Sequence, residues 1–262
     1  MSILRNTLME VKVMNKQILE RFMQKYSLSG AAESVIWTTA DDSLQTKFIT
    51  DDKSVLGVIV AKADGNKEFF KGFDVMGGED IAINATSQLR SLLGVVGEDV
   101  KIAFEKASGK LVALRISDKG TKVAYVLADP SVVPTVPALK SLPEFEIELK
   151  LDDEFMATFI KAKSALPEVE TFTVISDGKK VSLVIGYSKI NTNRVTIDVD
   201  ATKSEKIDAI SFSARYFGHI LSANKECKDA VLRISSQGLA HAVFKTDNFE
   251  SEYYLVQITT TT

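Results

Sequence analysis

The chain has one cysteine, Cys227, in 262 residues, so no intramolecular disulfide can brace it, and a reducing compartment is the expectation. It has only two histidines, His219 and His241, and with Cys227 they show no metal-ligand spacing, which argues against a zinc site. No long apolar run offers a membrane span, and the amino-terminal stretch lacks the apolar centre of a secretory leader. A positive excess is missing too: 32 basic and 35 acidic side chains leave a formal charge of -3. That balance excludes a simple polycation that grips nucleic acid. It leaves room for a nucleic-acid partner only where basic residues gather on one face.

Catalytic constellations are equally scarce. Asp41-Asp42, Asp51-Asp52 and Asp152-Asp153 suggest metal pairs, but they sit in separate turn and cap contexts, which speaks against two-metal hydrolysis. Met76–Glu79 is glycine-rich without the lysine and serine of a phosphate-binding loop. No Ser-His-Asp grouping emerges. An enzyme is therefore the weakest of the functional readings.

What the chain does contain is ordinary globular composition, 45% hydrophobic and 26% charged, with enough length for two cores. The clearest local signal is Gly109–Ala128, GKLVALRISDKGTKVAYVLA. Two β-patterned runs, Leu111–Ser117 and Thr121–Ala128, flank a turn at Asp118-Lys119-Gly120. A similar module returns as Gly238–Phe244 and Glu252–Ile258, and one constant offset matches Leu111 to Leu239 and Tyr125 to Tyr253.

The elements before each hairpin agree as well. Leu8–Val13 is a candidate first strand. Asn15 then caps a helix whose Ile18, Leu19, Phe22, Met23 and Tyr26 share one side, with Arg21 opposite and Lys16 and Lys25 on the flanks. Strand-like runs follow at Ser34–Thr39, Gln45–Thr50 and Val55–Ala61, with β or loop character over Glu68–Asp74 and Asp80–Asn84. Ala85–Val96 is a second helix with Leu89, Leu92, Leu93 and Val96 inward and Arg90 on the flank, and Val100–Glu105 is a strand. The segment 129–143 carries four of the five prolines, which stiffens an extended crossover.

The order then restarts. Phe145–Leu149 is a strand, and a helix capped at Asp152 or Asp153 runs to about Ala165. Strands are expected at Thr171–Ile175, Lys180–Gly186, Arg194–Val199 and Asp208–Ser213. Ala214–Lys225 is the second helix of this half, with Arg215 and His219 outward, and Ala230–Ile234 precedes the last hairpin. Each half is thus an α+β layer of antiparallel strands and two helices. The domain boundaries predicted are 1–130, a connector at 131–143, and 144–262.

This order resembles the DNA sliding clamps, the processivity rings of replicative polymerases, and among them the clamps of T4-like bacteriophages. Tyr125–Ser131 (YVLADPS) before a proline-rich crossover, Phe145–Leu149 (FEIEL) and Asp153–Ile160 (DEFMATFI) carry the resemblance, together with the two hairpin endings. The resemblance implies a non-catalytic clamp fold of two pseudo-repeated domains that closes into a ring, a homotrimer, with helices lining the hole. It implies double-stranded DNA as a sequence-independent partner, a DNA polymerase, an ATP-dependent clamp loader, no cofactor, and residence in the cytoplasm of an infected bacterial host. The DNA-facing set it implies is Lys16, Arg21, Lys25, Arg90, Lys161, Arg215 and Lys225, with Lys12, Lys163 and His219 as weaker candidates. The plain alternative for each single residue is an ordinary solvated helix face.

A partner-peptide groove beside the connector is implied at Val132, Val133, Val136 and Leu139, bordered by Leu255 and Val256. Those residues would otherwise simply pin the linker. Phe104 and Val126 are candidate edge residues for ring closure, and Thr259–Thr262 is expected to fray. The competing reading is a viral structural protein that forms a ring or tube without DNA.

Overall fold

The computed structural model describes residues 7–40, 43–62, 80–139, 141–188, 190 and 192–259. The expectations for Asp41-Asp42, Glu68–Asp74, Met76–Glu79 and the last three threonines lie outside those residues, as do the side chains of Lys12 and Asn15.

The chain divides into two compact units. The first holds Met1–Phe48, Val58–Val136 and Asp247–Glu250; the second holds Ile49–Gly57, Pro137–Thr246 and Ser251–Thr262. In the first unit, strands β1 (Thr7–Asn15), β6 (Asp99–Ala107), β7 (Lys110–Ser117) and β8 (Lys122–Val126) form an antiparallel sheet in the order β1-β6-β7-β8. A second group, β4 (Val55–Lys62), β3 (Ser43–Ile49), β2 (Val35–Ala40) and β5 (Ile81–Ile83), runs in the order β4-β3-β2-β5. The helices are α1 (Lys16–Ser27) and α2 (Thr86–Leu93), which pack together.

The second unit repeats the plan. Strands β12 (Val195–Val199), β11 (Val181–Ile185), β10 (Thr171–Asp177) and β14 (Lys206–Ser213) form one antiparallel sheet in that order. The strands β13 (Ala201–Ser204), β9 (Ile147–Lys150), β15 (Asp229–Ser235), β16 (Leu239–Lys245) and β17 (Phe249–Val256) follow in that order in the other. Helices α3 (Asp153–Ala165) and α4 (Ala214–Ala223) pack against each other. The molecule is therefore an α+β fold of two pseudo-repeated units, each built of antiparallel strands and two helices.

The helices form where an apolar stripe meets a workable start and stop. In α1, Ile18, Leu19, Phe22, Met23 and Tyr26 recur at helical spacing and are all buried. The helix stops where Leu28, Ser29 and Gly30 take positive φ in succession, which no α-helix accommodates. In α3 the Asp152 carboxylate accepts the Phe155 N–H at 2.8 Å, and Pro167 follows the last turn. The Lys163 ammonium donates to the Pro167 carbonyl at 2.9 Å, so that lysine caps the helix C-terminus.

The opening hairpin forms as its pattern requires. The Asp118 carboxylate accepts the N–H groups of Gly97, Gly120 and Thr121 at 2.7, 2.9 and 2.6 Å. Those donors hold its carboxyl at about 2, the Gly97 N–H acting most strongly. Several elements differ at their ends from the sequence expectation; β17, for one, covers Phe249–Val256 rather than Glu252–Ile258. The second helix of the first unit closes at Leu93 rather than Val96, because the chain tightens there: the Val95 and Val96 N–H groups donate to the Leu92 and Leu93 carbonyls, three residues back rather than four. Helix α4 ends at Ala223, where Asn224 closes it. The short edge strand β13 was not anticipated, since Ala201–Ser204 carries no apolar alternation.

Candidate nucleic-acid and partner interfaces

Helices α1 and α2 bring Arg21 and Arg90 onto one groove of about 680 Å³, with Gln17, Gln24, Ser87 and Ser91 between them. Both arginines are exposed. Glu20 also lines this groove, so its charge is one excess positive rather than two. The glutamines and serines offer donors suited to phosphate oxygens without reading a base.

Lys16 and Lys25, counted above with the DNA-facing side chains, are turned into the protein. Lys16 is buried; its ammonium donates to the Val96 carbonyl at 2.8 Å and lies 3.9 Å from Glu20. Lys25 is 1% exposed, with its ammonium 5.1 Å from the centre of the Phe249 ring. A phosphate in solvent cannot reach an ammonium placed there. Burial of both follows from long-range partners that helical periodicity does not report.

In the second unit Lys161 on α3 and Arg215 on α4 are exposed, and Lys225 lies exposed just past the end of α4. The Arg215 guanidinium rests 5.1 Å from the Tyr216 ring centre, a cation–π contact that steadies it without neutralising it. His219 is half-buried, and burial first, then Arg215 and Lys163, hold its imidazole below the ordinary histidine range. It therefore adds no charge at neutral pH. The first turn of α3 is acidic, with Asp153 and Glu154 exposed.

The connector begins as a short 3-10 turn over Pro130–Val132, started by Asp129, whose carboxylate accepts the Ser131 N–H at 3.0 Å. A groove of about 430 Å³ lies between this turn and the strands β2 and β3. Ile36, Thr38, Lys47, Asp80, Val133 and Val136 are among its walls. Val133 is buried and Val136 half-buried, while Val132 stands out at 62% exposure. In the second unit Leu139 and Val256 are exposed and Leu255 is buried within β17. Ile36, Lys47 and Asp80 were missed in the sequence. The available signal was strand alternation, which sets Ile36 opposite the buried Val35 and Trp37.

Of the two edge candidates, Phe104 is fully buried and Val126 is 76% exposed. Among the described residues no three histidine, cysteine or acidic groups gather as a metal site, and no helix is long and apolar enough to cross a membrane.

No family model matches the sequence, and no curated protein matches it. Solved structures do. A proliferating cellular nuclear antigen from Entamoeba histolytica aligns over 98% of this chain and 100% of its own, at TM-score 0.68 and 13% identity. A PCNA2-PCNA3 complex from Sulfolobus tokodaii aligns over 95% of this chain and 99% of its own, at TM-score 0.69 and 15% identity. A structure of the C-terminal region of FEN-1 bound to A. fulgidus PCNA aligns over 97% and 100%, at TM-score 0.73 and 11% identity. At such identities the likeness is one of fold: the chain has the sliding-clamp fold over almost its whole length.

Proposed function

We propose that this chain is a sliding clamp, a ring that encircles duplex DNA and tethers a replicative DNA polymerase to it. The observation that carries the reading is the clamp fold itself, with exposed basic side chains on all its long helices or just beyond their ends: Arg21, Arg90, Lys161, Arg215 and Lys225. The ring would be a homotrimer of the T4-like phage kind, acting in the cytoplasm of an infected bacterium, with domains at 1–130 and 144–262 joined by 131–143.

The mechanism is topological and makes or breaks no bond. Arginines and lysines facing the bore meet phosphates in contacts that carry no sequence information and weaken with salt. Several weak contacts suit sliding, because no one phosphate position becomes a deep minimum. Lys16 and Lys25 drop out of this set because they are buried. The slight negative total charge fits an acidic exterior around a basic bore.

The same reading assigns the connector groove to short peptides of the polymerase and of an ATP-dependent loader. Val133 and Val136 supply its apolar floor, and exposed Val132 stands in the turn beside them. One structural neighbour is described as holding the C-terminal region of another protein, which supports peptide capture as a mode open to this fold.

Loading onto circular DNA by a loader and ATP tests the reading. The protein should stay on the closed circle and leave once the circle is cut. Equal retention on both forms, or none on either, would overturn the topological reading, and none on either would favour the competing DNA-free ring or tube. The paired changes Arg21→Glu and Arg90→Glu should sharply reduce retention at moderate salt, and a solution mass should give the trimer.

A further inference from the structure

A second groove, of about 730 Å³, lies in the first unit beside the open end of the β7–β8 hairpin. Its apolar wall includes Ala82, Leu111, Val126 and Leu127. It shares two residues with the connector groove, Asp80 and Pro130, so the two meet there. Val126 is the most exposed large apolar side chain among the described residues. Because Tyr125 before it is buried, Val126 points off the opposite face of β8 rather than along its edge. A ligand lying on Val126 therefore leaves the β8 backbone edge open for pairing with another strand.

The charge shared by the two grooves is that of Asp80. Asp80 is exposed; its Oδ1 accepts the Thr38 hydroxyl at 3.3 Å, and among the described residues no cation pairs with it. Asp129 follows within the second groove, with its carboxyl held low by the N–H of Ser131. The Lys110 ammonium is 4.0 Å from Asp129, on a side chain that is 82% exposed, a pair too solvated to neutralise the site firmly. Each groove also carries one lysine in its lining, exposed Lys47 in the connector groove and Lys110 in the second.

From this juxtaposition we infer that a partner peptide seated in the connector groove continues across Asp80 and Pro130 into the second groove. The preferred peptide carries a lysine or arginine at Asp80, between two apolar segments. The inference rests on the connector groove being a peptide site. Apolar burial on both sides supplies the binding, and the central cation selects partner and register. Proline at the junction presents a rigid ridge with no N–H to satisfy, which suits an extended peptide passing over it.

A displayed library of random 16-residue peptides, selected on the full chain, tests this. Peptides retained by the wild type should be enriched in Lys or Arg flanked on both sides by apolar residues. Asp80→Lys should weaken them about tenfold, as loss and reversal of a rim charge does, and should redirect selection to Asp or Glu. Val126→Asp should weaken these long peptides and leave versions truncated to the connector segment unaffected. Peptides with no central charge preference, or indifferent to Asp80→Lys or Val126→Asp, overturn the two-groove inference alone. No retained peptide, or peptides insensitive to Val136→Asp, overturns the connector groove as a peptide site and this inference with it. Asp80 and Val126 are exposed, so both variants are expected to fold, which far-ultraviolet dichroism checks.

Discussion

The two units reach the same fold with different chemistry between their helices. In the first, Tyr26 on α1 and Trp37 on β2 meet in a polar contact: the Trp37 Nε1–H donates to the Tyr26 hydroxyl at 3.2 Å, and that hydroxyl lies 3.1 Å from the Thr86 hydroxyl at the start of α2. In the second, the space is filled by phenyl rings. Phe159 on α3 meets Phe172 and Phe217 edge-on, with centres 5.3 and 4.9 Å apart. The second helices are also secured differently. Helix α4 has a local cap, Ser213 Oγ accepting the Tyr216 N–H at 3.2 Å. Helix α2 follows Ala85, which has no capping side chain. Its start is served from afar by the Glu33 carboxylate, which accepts the Ser87 N–H at 2.8 Å, and by the Tyr125 hydroxyl, which accepts the N–H groups of Asn84 and Ala85.

One pair of bonds survives in both copies. Thr86 N–H donates to the Glu33 carbonyl, and Ala214 N–H donates to the Glu170 carbonyl, each fixing the start of the second helix. Tyr125 and Tyr253 likewise hold matched positions, but Tyr125 reaches the start of α2 whereas Tyr253 accepts from Asn224 at the end of α4. The backbone plan is what repeats; side-chain solutions have drifted around it. That is why the sequence repeat is diffuse although the folds agree.

The largest effect should come from breaking the phenyl packing. Phe159 is fully buried, so Phe159→Ala removes its transfer free energy and leaves a cavity, a loss of about 3–5 kcal/mol. Chemical denaturation should show it, and hydrogen exchange should rise most in α3, α4 and β10. Equal loosening of α1 and β6 would mean that the two cores are not separate supports.

A smaller loss is expected from the polar counterpart. Tyr26→Phe keeps the ring but strands the Trp37 N–H in a buried site, at a cost of about 1–3 kcal/mol. Burial already pushes the Tyr26 hydroxyl well above the usual tyrosine range, so it stays a neutral donor and acceptor throughout. A neutral result in denaturant melts would show that the hydroxyl network adds nothing to the first core.

What could be read in the sequence divides along the same line. The stripes of α1, α3 and α4, the Asp118 turn and the second hairpin were legible because local periodicity and turn chemistry determine them. Buried Lys16 and Lys25 were not, because their partners, Val96 and Phe249, lie far along the chain. Of the DNA-facing candidates, Arg21 was legible as outward on its helix and Arg90 only as a flank residue; that they share a groove depends on how α1 packs on α2. Val133 and Val136 were legible as apolar residues in a proline-rich stretch. Lys47 on β3 and Asp80 just before β5, which give that groove its charge pattern, have neighbours across the sheet that sequence alone does not supply.

The smallest effect sharpens the contrast, because the second unit, besides the Asn224–Tyr253 pair, holds a buried polar cluster on its sheet. His241 is 5% exposed and stacks on Tyr254 with ring centres 4.4 Å apart, while Phe145 lies 5.9 Å away. Its Nε2 is 3.1 Å from the Glu252 carboxylate, which also accepts the Tyr254 hydroxyl; Nδ1 has no partner among the described residues. Across the strands, Arg233 faces His241 in register and is paired with Glu148 at 2.7 Å. Burial lowers the His241 pKa from its ordinary 6.5; Glu252 opposes the shift in part, and Arg233 adds to it. A histidine depressed in the folded state binds its proton more readily when unfolded. Its contribution is therefore intact above the ordinary 6.5 and is lost as pH falls through that value toward the folded pKa. His219 is shifted the same way, so the measurement belongs in a His219→Asn background. Urea melts at about pH 7.5 and about pH 5.5, which bracket the histidine range, should show the parent losing more stability on acidification than the same protein with His241→Gln. Equal losses would mean that this stack holds the strand without sensing protons.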